Sequence, residues 1–382
     1  MTATTLSATD PDLLYSDVED HLRSSVRALL GDRAGPEGVL ARVESGEPVH
    51  MKLWHTLAAD LGCAGLAVPE ELGGHGGTAR EVAVVLEELG AAVAPVPFLG
   101  SALLATQALL ACDVSSRTVS GLLGRLACGA ATGALAVPLP TAPGSAFPAT
   151  VAAAADGTLT GRVGTVADAA VADELVVPAV GESGPGLYAV AAPAATITPL
   201  PALDLTRGIA DVSLSAAPAR RLAGPDRAPQ ALDRALLFAA GLLASEQLGI
   251  AQWCLDSAVS YTKQRFQFGR PVGSFQALKH RMADLWLEVG SARAAARYAA
   301  ECLATGAADT LVAVAMAQAY CSDAAVHAAE ECIQLHGGIG MTWEHPAHLY
   351  LKRAKSDQIA LGTPGRHRAA LAGLVDIPAP VG

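Results

Sequence analysis

The hydrophobic positions of the chain repeat with a helical period at both ends and lose that period in the middle. Apolar residues recur every three to four positions from residue 15 to about 128, and again from residue 231 onwards. This spacing places apolar side chains on one face of an α-helix. In the second region we predict helices over 231–265, 275–305 and 308–335, and a fourth that begins near Pro346. Four long helices joined by short loops predict a helical bundle.

The middle of the chain has a different composition, with fewer charged residues and more proline and glycine. Short apolar runs alternate there with turn signals such as Asp156-Gly157. Runs of this length and spacing predict a small antiparallel sandwich or barrel. The predicted strands are 134–137, 150–152, 174–177, 187–190, 196–198 and 212–214. The fold class is therefore α+β. We predict a helical domain over 1–130, a β domain over 131–228 and a helical bundle over 229–382.

One stretch of the second helical region contains a sharp break. Gly269 and Pro271 end the helix that runs into Arg265, and Ser274 is a candidate N-cap for the next helix. The guanidinium of Arg265 offers a planar fork of donors at a helix end, and the ring of Phe268 follows three residues later. Such an arrangement suits a pyrophosphate. The alternative is a helix corner that carries a surface arginine.

A glycine-rich loop in the first region invites a comparison with phosphate-binding loops. Residues 65–77 contain four glycines near their end, and Thr78 is a candidate cap for the following helix. The loop has neither the lysine of a P-loop nor the strand-to-helix context of a dinucleotide fold. We therefore expect a structural loop.

Composition and charge narrow the class of protein. The chain has 382 residues, is 51% apolar and carries a formal charge of −11, which disfavours a nucleic-acid partner. No strongly apolar run of about 18 residues indicates a membrane span, and the start of the chain has no signal-peptide pattern. The seven cysteines are scattered without a C-x-x-C pair, which is typical of free thiols in a reducing compartment and not of a zinc site. We expect a cytoplasmic protein without a metal.

Three motifs in order resemble those of the acyl-CoA dehydrogenases. GLAVPEELGG at 65–74, followed by EELG at 87–90, looks like the N-terminal signature of that family. RFQFGRPVGSFQ at 265–276 is similar to its first C-terminal signature. QLHGGIG at 334–340, with Arg353 downstream, resembles the second. The resemblance extends over nearly the whole chain and implies the fold of that family.

The resemblance also implies a reaction and a cofactor. Members of the family oxidise an acyl-CoA to its 2,3-enoyl-CoA: a glutamate removes the α-proton and FAD takes hydride from the β-carbon. Each FAD spans two subunits, because its adenosine diphosphate half lies against the neighbouring chain. The FAD-binding positions of the family are matched here by Arg265, Phe268, Gln334, Gly338 and Thr363.

The stretches that meet the flavin ring in the family are altered here. Residues 137–145, VPLPTAPGS, keep only the tail of the usual flavin-binding segment. In 161–168, GRVGTVAD, Thr165 replaces an aromatic residue and Ala167 a threonine. A stacking surface and a hydroxyl donor are thereby lost. The sequence therefore predicts a degraded pocket for the chain's own flavin ring.

The catalytic base is also missing from both positions where the family carries it. Leu361 stands at the more common position, and Ala239 at a second position that some members use. Neither side chain accepts a proton. Glu246 lies two helical turns beyond Ala239 and shares its helix face, yet a polar contact within the bundle is the better interpretation. We interpret His336 and Glu344 as structural groups or as groups near the adenine end.

These features together resemble the base-lacking subunit of heteromeric acyl-CoA dehydrogenases from actinobacterial steroid side-chain breakdown. The hypothesis is an FAD-dependent complex with a homologous subunit, as an α2β2 tetramer or a simple dimer, that acts on an acyl-CoA. Two alternatives stay open. The chain is a self-sufficient flavin-dependent dehydrogenase or monooxygenase with a displaced base such as Glu246, or it is a flavin-free scaffold subunit.

Overall fold

Helices occupy the two ends of the chain and strands the middle, as the hydrophobic pattern predicts. The structure, a computed structural model, describes residues 13–47 and 49–375. The first twelve residues, which bear on the expectation about a signal peptide, lie outside the described part. Six α-helices form the N-terminal region: α1 Asp17–Arg33, α2 Pro36–Glu44, α3 Met51–His55, α4 Ala79–Ala91, α5 Thr106–Leu110 and α6 Arg117–Ala127. π-helical turns at Thr56–Asp60 and Leu99–Ala105 extend α3 and precede α5.

The middle region forms one eight-stranded sheet. Its strands are β1 Gly133–Leu135, β2 Val151–Ala153, β3 Thr158–Ala167, β4 Glu174–Gly181, β5 Gly184–Ala191, β6 Thr196–Pro199, β7 Ile209–Pro218 and β8 Arg220–Ala223. The order is β6-β7-β3-β2-β4-β5-β8, and β1 pairs with β4. Most pairs are antiparallel, but β1–β4 and β2–β4 are parallel, which the sequence pattern did not predict. The strands β3 and β8 were also not predicted.

The C-terminal region is the predicted bundle with one additional short helix. The helices are α7 Ala228–Gln264, α8 Gln276–Thr305, α9 Thr310–His336, α10 Ala347–Ile359 and α11 Pro364–Leu374. Pro346 is the N-cap of α10, one position before the predicted first turn. The expected cap at Ser274 is wrong: Phe275 is the N-cap of α8, and the Ser274 hydroxyl is buried without a hydrogen-bond partner among the described residues.

The long helix α7 forms the centre of the molecule. It is long and apolar enough to cross a membrane by length and composition, but most of its apolar stretch is buried inside the protein. It packs against α4, α8 and α9. At the crossing with α4 the backbones nearly touch, since a Cβ on Gly249 would lie 1.9 Å from the Glu87 carbonyl oxygen and one on Gly90 would lie 2.1 Å from that of Glu246. Glycine is therefore required on both helices.

The glycine-rich loop before α4 is structural, as expected. The amide N–H groups of Gly73, Gly74, Gly76 and Gly77 donate to carbonyl oxygens of the same loop, at 2.7–3.1 Å. Thr78 caps α4 as predicted, in a capping box with Glu81. These amides are already bonded, so they are not available to a phosphate.

Candidate cofactor and catalytic site

The predicted break after α7 is a short β-hairpin with exposed aromatic rings. Arg265 is the C-cap of α7, and residues 266–267 pair with 270–271. Phe268 and Gly269 form the tip, with φ of 53° and 77°. The ring of Phe268 is 89% exposed and meets Phe275 edge-on at 6.1 Å. The guanidinium of Arg265 is exposed and forms no hydrogen bond or ion pair with any residue in the described part of the chain.

The second predicted segment lies at the end of α9. His336 is the last residue of that helix, and Gly337, with φ of 62°, leads into the 3₁₀ turn Gly337–Met341. Gln334 and Gly338 are both exposed. A Cβ added to Gly338 would meet nothing within 4 Å. The packing of this chain therefore does not demand glycine at position 338.

Contacts between helices bring these two segments to the same end of the bundle. The ring of Tyr261, one turn before Arg265, stacks on the imidazole of His336 with 4.5 Å between centroids. Nearby, the Arg281 guanidinium donates to both carboxylate oxygens of Glu331 at 2.8 and 2.6 Å. Thus the last turn of α7 meets the last turn of α9, beside the first turns of α8.

Thr363 lies elsewhere. It is the N-cap of α11, where its hydroxyl oxygen accepts a hydrogen bond from the Arg366 amide at 3.4 Å. Arg366 lines a cleft of about 480 Å³ together with Asp233 and Leu237 from the start of α7. Leu237 and Arg265 are about 40 Å apart along the helix, at about 1.5 Å per residue. One FAD molecule does not span this distance, so Thr363 does not share a site with the other four predicted residues within one chain.

The segments that would meet a flavin ring are bonded directly to each other. The Leu139 amide donates to the Thr165 carbonyl at 3.0 Å, and the Leu361 amide donates to the Leu139 carbonyl at 2.8 Å. Thr165 and Leu361 both adopt positive φ, 53° and 55°. These two main-chain donors are thus used within the chain and are not available to a flavin.

Both positions expected to hold the base are apolar and inaccessible. Leu361 and Ala239 each have 0% exposure. The carbonyl of Leu361 faces the Nε2 of His367 at 3.0 Å, and α7 around Ala239 is packed against the surrounding helices. No described side chain at either position is able to remove a proton from a substrate.

Glu246 is part of a buried ion network. Its Oε1 accepts hydrogen bonds from the guanidinium groups of Arg207, at 2.7 Å, and Arg353. Arg207 also bonds Asp357 at 3.0 Å, and Arg353 bonds Asp204 at 2.6 Å. All five side chains are at most 6% exposed. The network joins the β domain, α7 and α10, and we call it the buried network.

Electrostatics make Glu246 a poor base. Burial by itself raises the pKa of a carboxyl group, but the attraction of Arg207 and Arg353 outweighs burial and lowers the pKa of Glu246 below its ordinary value. A general base needs a pKa closer to the operating pH and a free lone pair that points at the substrate. Glu246 therefore has the polar role within the bundle that the sequence favoured.

Most residues of the buried network were not predicted from the sequence. Asp204 and Arg207 come from an irregular stretch before β7, and Asp357 lies one turn after Arg353 on α10. The only feature of the sequence that pointed to the network was the pair Arg353 and Asp357, four residues apart on one helix face. Such a face is ordinarily exposed to solvent. Their partners lie 107 to 150 residues away in sequence, so nothing local indicates that they are buried.

No metal site is present in the part of the chain that the structure describes, since no group of three or more His, Cys, Asp or Glu side chains has suitable geometry. His336 is buried at the end of α9, where its Nδ1 lies 2.7 Å from the Cys332 carbonyl. Glu344 is exposed in the following loop. All seven cysteines are free.

Comparison with known proteins identifies the family. Models of the acyl-CoA dehydrogenase N-terminal and C-terminal domains match residues 16–113 and 230–373. The acyl-CoA dehydrogenase IpdE2 of Mycolicibacterium smegmatis is 38% identical over 349 residues, which are 91% of this chain and 96% of that protein. The chain belongs to the acyl-CoA dehydrogenase family, whose members are oxidoreductases that act on CH–CH bonds. The resemblance predicted from three motifs is confirmed.

Two solved structures of heteromeric type are also similar. A chain of the ChsE4-ChsE5 complex from Mycobacterium tuberculosis is 29% identical, with a TM-score of 0.84 over 96% of this chain and 100% of that one. A chain of the Tcur3481-Tcur3483 steroid ACAD is 29% identical, with a TM-score of 0.81 over 94% and 98%. The predicted order of helical domain, β domain and helical bundle is confirmed by the family match and by these structures.

Proposed function

We propose that this chain is the non-base subunit of a heteromeric, FAD-dependent acyl-CoA dehydrogenase. It contributes the adenosine diphosphate half of the FAD site, and a homologous partner subunit contributes the flavin pocket and the glutamate base. The observation that carries the proposal is the division of the matched residues along α7. Arg265, Phe268, Gln334 and Gly338 are exposed at one end, whereas at the flavin end of the same chain both base positions are buried and the Leu139 and Leu361 amides are already bonded.

The exposed end has the donor chemistry that a pyrophosphate requires. The guanidinium of Arg265 has no partner among residues 13–47 and 49–375. It is always charged and offers a fork of N–H donors to phosphate oxygens. Gln334 adds an amide, and Gly338 leaves the backbone open to close approach because it lacks a Cβ. Phe268 offers an aromatic face beside them. When bound, FAD supplies the oxidising power for α,β-dehydrogenation of the acyl-CoA.

The residues at the flavin end explain why a partner is needed. Leu361 and Ala239 have no proton acceptor, and Glu246 is held by two guanidinium groups. The Leu139 amide is bonded to Thr165. Among the described residues, neither expected base position carries a proton acceptor and the Leu139 amide is not free for a flavin ring, which argues against a self-sufficient enzyme.

The surroundings of the exposed end favour coverage by another protein. Large apolar side chains are exposed around it, which in a soluble protein is typical of an interaction surface. These are Phe266, Phe268, Ile339, Met341 and Trp343. The similarity to a chain of the ChsE4-ChsE5 complex supports a homologous partner. The similarity to a steroid ACAD supports a steroid or lipid acyl-CoA as the substrate class.

The test is reconstitution with a homologous acyl-CoA dehydrogenase subunit from the same genome that carries the glutamate. We expect a stable complex that retains FAD and dehydrogenates an acyl-CoA, while each chain alone loses the flavin during gel filtration. Arg265→Ala is expected to abolish FAD retention by the complex. Arg234→Ala is the matched control, because Arg234 is an exposed arginine at the opposite end of α7.

Each alternative predicts a different result. A scaffold subunit that never touches the flavin predicts a complex in which Arg265→Ala retains FAD as the parent does. A self-sufficient enzyme predicts stoichiometric flavin and turnover in the isolated chain, together with loss of turnover on Glu246→Gln. Either outcome contradicts the proposed function.

A further inference from the structure

Three aromatic rings contact one another between the two segments that we assign to the adenosine diphosphate site. The ring of Tyr261 stacks on the imidazole of His336, at 4.5 Å and 29°. The imidazole of His345, from the loop before α10, is tilted by 45° relative to His336, with 4.2 Å between the centroids. We call Tyr261, His336 and His345 the ring stack.

The central imidazole is held in a fixed orientation. A carbonyl oxygen only accepts hydrogen bonds, so the contact between His336 Nδ1 and the Cys332 carbonyl at 2.7 Å requires a proton on Nδ1. In the neutral ring Nε2 is then an acceptor, and it faces the Ser257 hydroxyl on α7 at 3.4 Å. His336 therefore contacts α7 through both its ring face and its Nε2 edge.

The ring stack is placed between the residues that would hold the ligand. Tyr261 precedes Arg265 by one helical turn, whereas Gln334 and Gly338 flank His336 by two residues on either side. The turn after His336 is compact, because a Cβ on Gly340 would lie 2.4 Å from the Ile333 carbonyl oxygen. A change in the separation of Tyr261 and His336 therefore moves Arg265 relative to Gln334 and Gly338.

We propose that the ring stack is a positioning device that sets the distance between Arg265 and the Gln334–Gly338 segment, and thereby the affinity of the complex for the diphosphate of FAD. Tyr261 and His336 are positioning residues that do not touch the cofactor. The inference rests on the proposed function, since it concerns the geometry of the same site.

Two variants, measured in the reconstituted complex, distinguish the contribution of the Tyr261 ring from that of its hydroxyl. Tyr261→Leu keeps apolar volume on the half-buried face of α7 and removes the ring, whereas Tyr261→Phe keeps the ring. Loss of an aromatic pair of this kind changes an equilibrium constant by about three- to tenfold. We expect Tyr261→Leu to weaken FAD binding by about that factor and Tyr261→Phe to bind like the parent. The measurement is an FAD titration followed by flavin fluorescence, with the melting temperature of each FAD-free complex recorded alongside.

A second ring pair on the same helix gives the matched control. Trp253 of α7 stacks on Tyr350 with 3.5 Å between centroids, about two turns before Tyr261. Trp253→Leu is expected to lower the melting temperature and to leave FAD affinity unchanged. Positioning by the ring stack is contradicted if Tyr261→Leu binds FAD like the parent, if Trp253→Leu weakens binding equally, or if Tyr261→Phe loses as much affinity as Tyr261→Leu.

Arg265→Ala separates failure of this inference from failure of the proposed function. Loss of FAD with Arg265→Ala but not with Tyr261→Leu leaves the site intact and overturns the positioning role. Retention of FAD with Arg265→Ala overturns both.

Discussion

The middle of α7 and its C-terminal end use arginine in opposite ways. In the β-domain and bundle interior, Arg207 and Arg353 are buried and paired with carboxylates from three different parts of the chain. At the C-terminal end Arg265 is exposed and bonds no described side chain. A buried charge requires a partner inside the fold, whereas an exposed charge is free to bind a partner from outside. The site at the middle of α7 is therefore structural and closed, and the C-terminal end is available for a ligand.

The same contrast holds for glycine and for aromatic residues. Gly249 is required by a helix crossing, but Gly338 faces open space. Trp253 and Tyr350 are packed against each other, whereas Phe268 projects from a hairpin tip. Gly338 and Phe268, whose residue types are not required by packing within the chain, both lie at the exposed end. Their location is the reason we assign the ligand to this end.

The largest expected effect is in the buried network. Arg353→Ala removes the cation paired with Asp204 and one of the two cations paired with Glu246, and removing one partner of a buried pair costs about 3 to 5 kcal/mol. We expect a loss of that size in the free energy of unfolding, measured by urea titration. The control is Arg368→Ala, whose pair with Asp323 is more than half exposed on the arginine side. That change should cost less than about 1 kcal/mol. Equal losses for the two variants would show that the network contributes no more than a surface pair.

The next largest expected effect on the free energy of unfolding distinguishes two glycines. Gly249→Ala places a methyl group 1.9 Å from the Glu87 carbonyl oxygen, so α4 and α7 must move apart. Overpacking of this kind costs about 1 to 3 kcal/mol. Gly338→Ala should leave the free energy of unfolding unchanged, because nothing lies within 4 Å, and should weaken FAD binding in the reconstituted complex. The idea that position 338 is kept open for a ligand fails if Gly338→Ala binds FAD like the parent.

A smaller effect depends on pH. Asp168 is buried beside the buried network, and its Oδ2 accepts a hydrogen bond from the Gly100 amide at 2.8 Å. Burial raises its pKa to about 6, with Arg207 opposing the rise. Its folded pKa thus exceeds the unfolded value of about 3.9, so the folded state holds more protons between these values and stability falls as pH rises through about 4 to 6.

Asp168→Asn removes that carboxylate and keeps an oxygen acceptor for the Gly100 amide. Relative to the parent, the variant should gain up to about 2 to 3 kcal/mol in the free energy of unfolding at pH 7.5 and little at pH 4. Urea unfolding at a series of pH values measures the difference. A constant difference from pH 4 to 7.5 would mean that folding does not raise the pKa of Asp168.

Helices and motifs were readable from the sequence because they are local. The 3.6-residue period predicted α7, α8 and α9 to within about three residues at each end. The strand β3 was missed because Gly161, Gly164 and two irregularities in its pairing with β7 break the alternation of apolar and polar residues. The parallel pairs of β4 join segments separated by other strands, and no local pattern reports such pairing.

By itself, the sequence determined the family, the order of the three regions and the absence of a glutamate at positions 361 and 239. These follow from residue types and short-range periodicity. Only the tertiary structure showed that the charge of Glu246 is paired with Arg207 and Arg353, and that Thr363 lies far from Arg265. Both depend on contacts between residues that are distant in the chain, and in such contacts burial and pairing decide whether a charge is structural or available to a ligand.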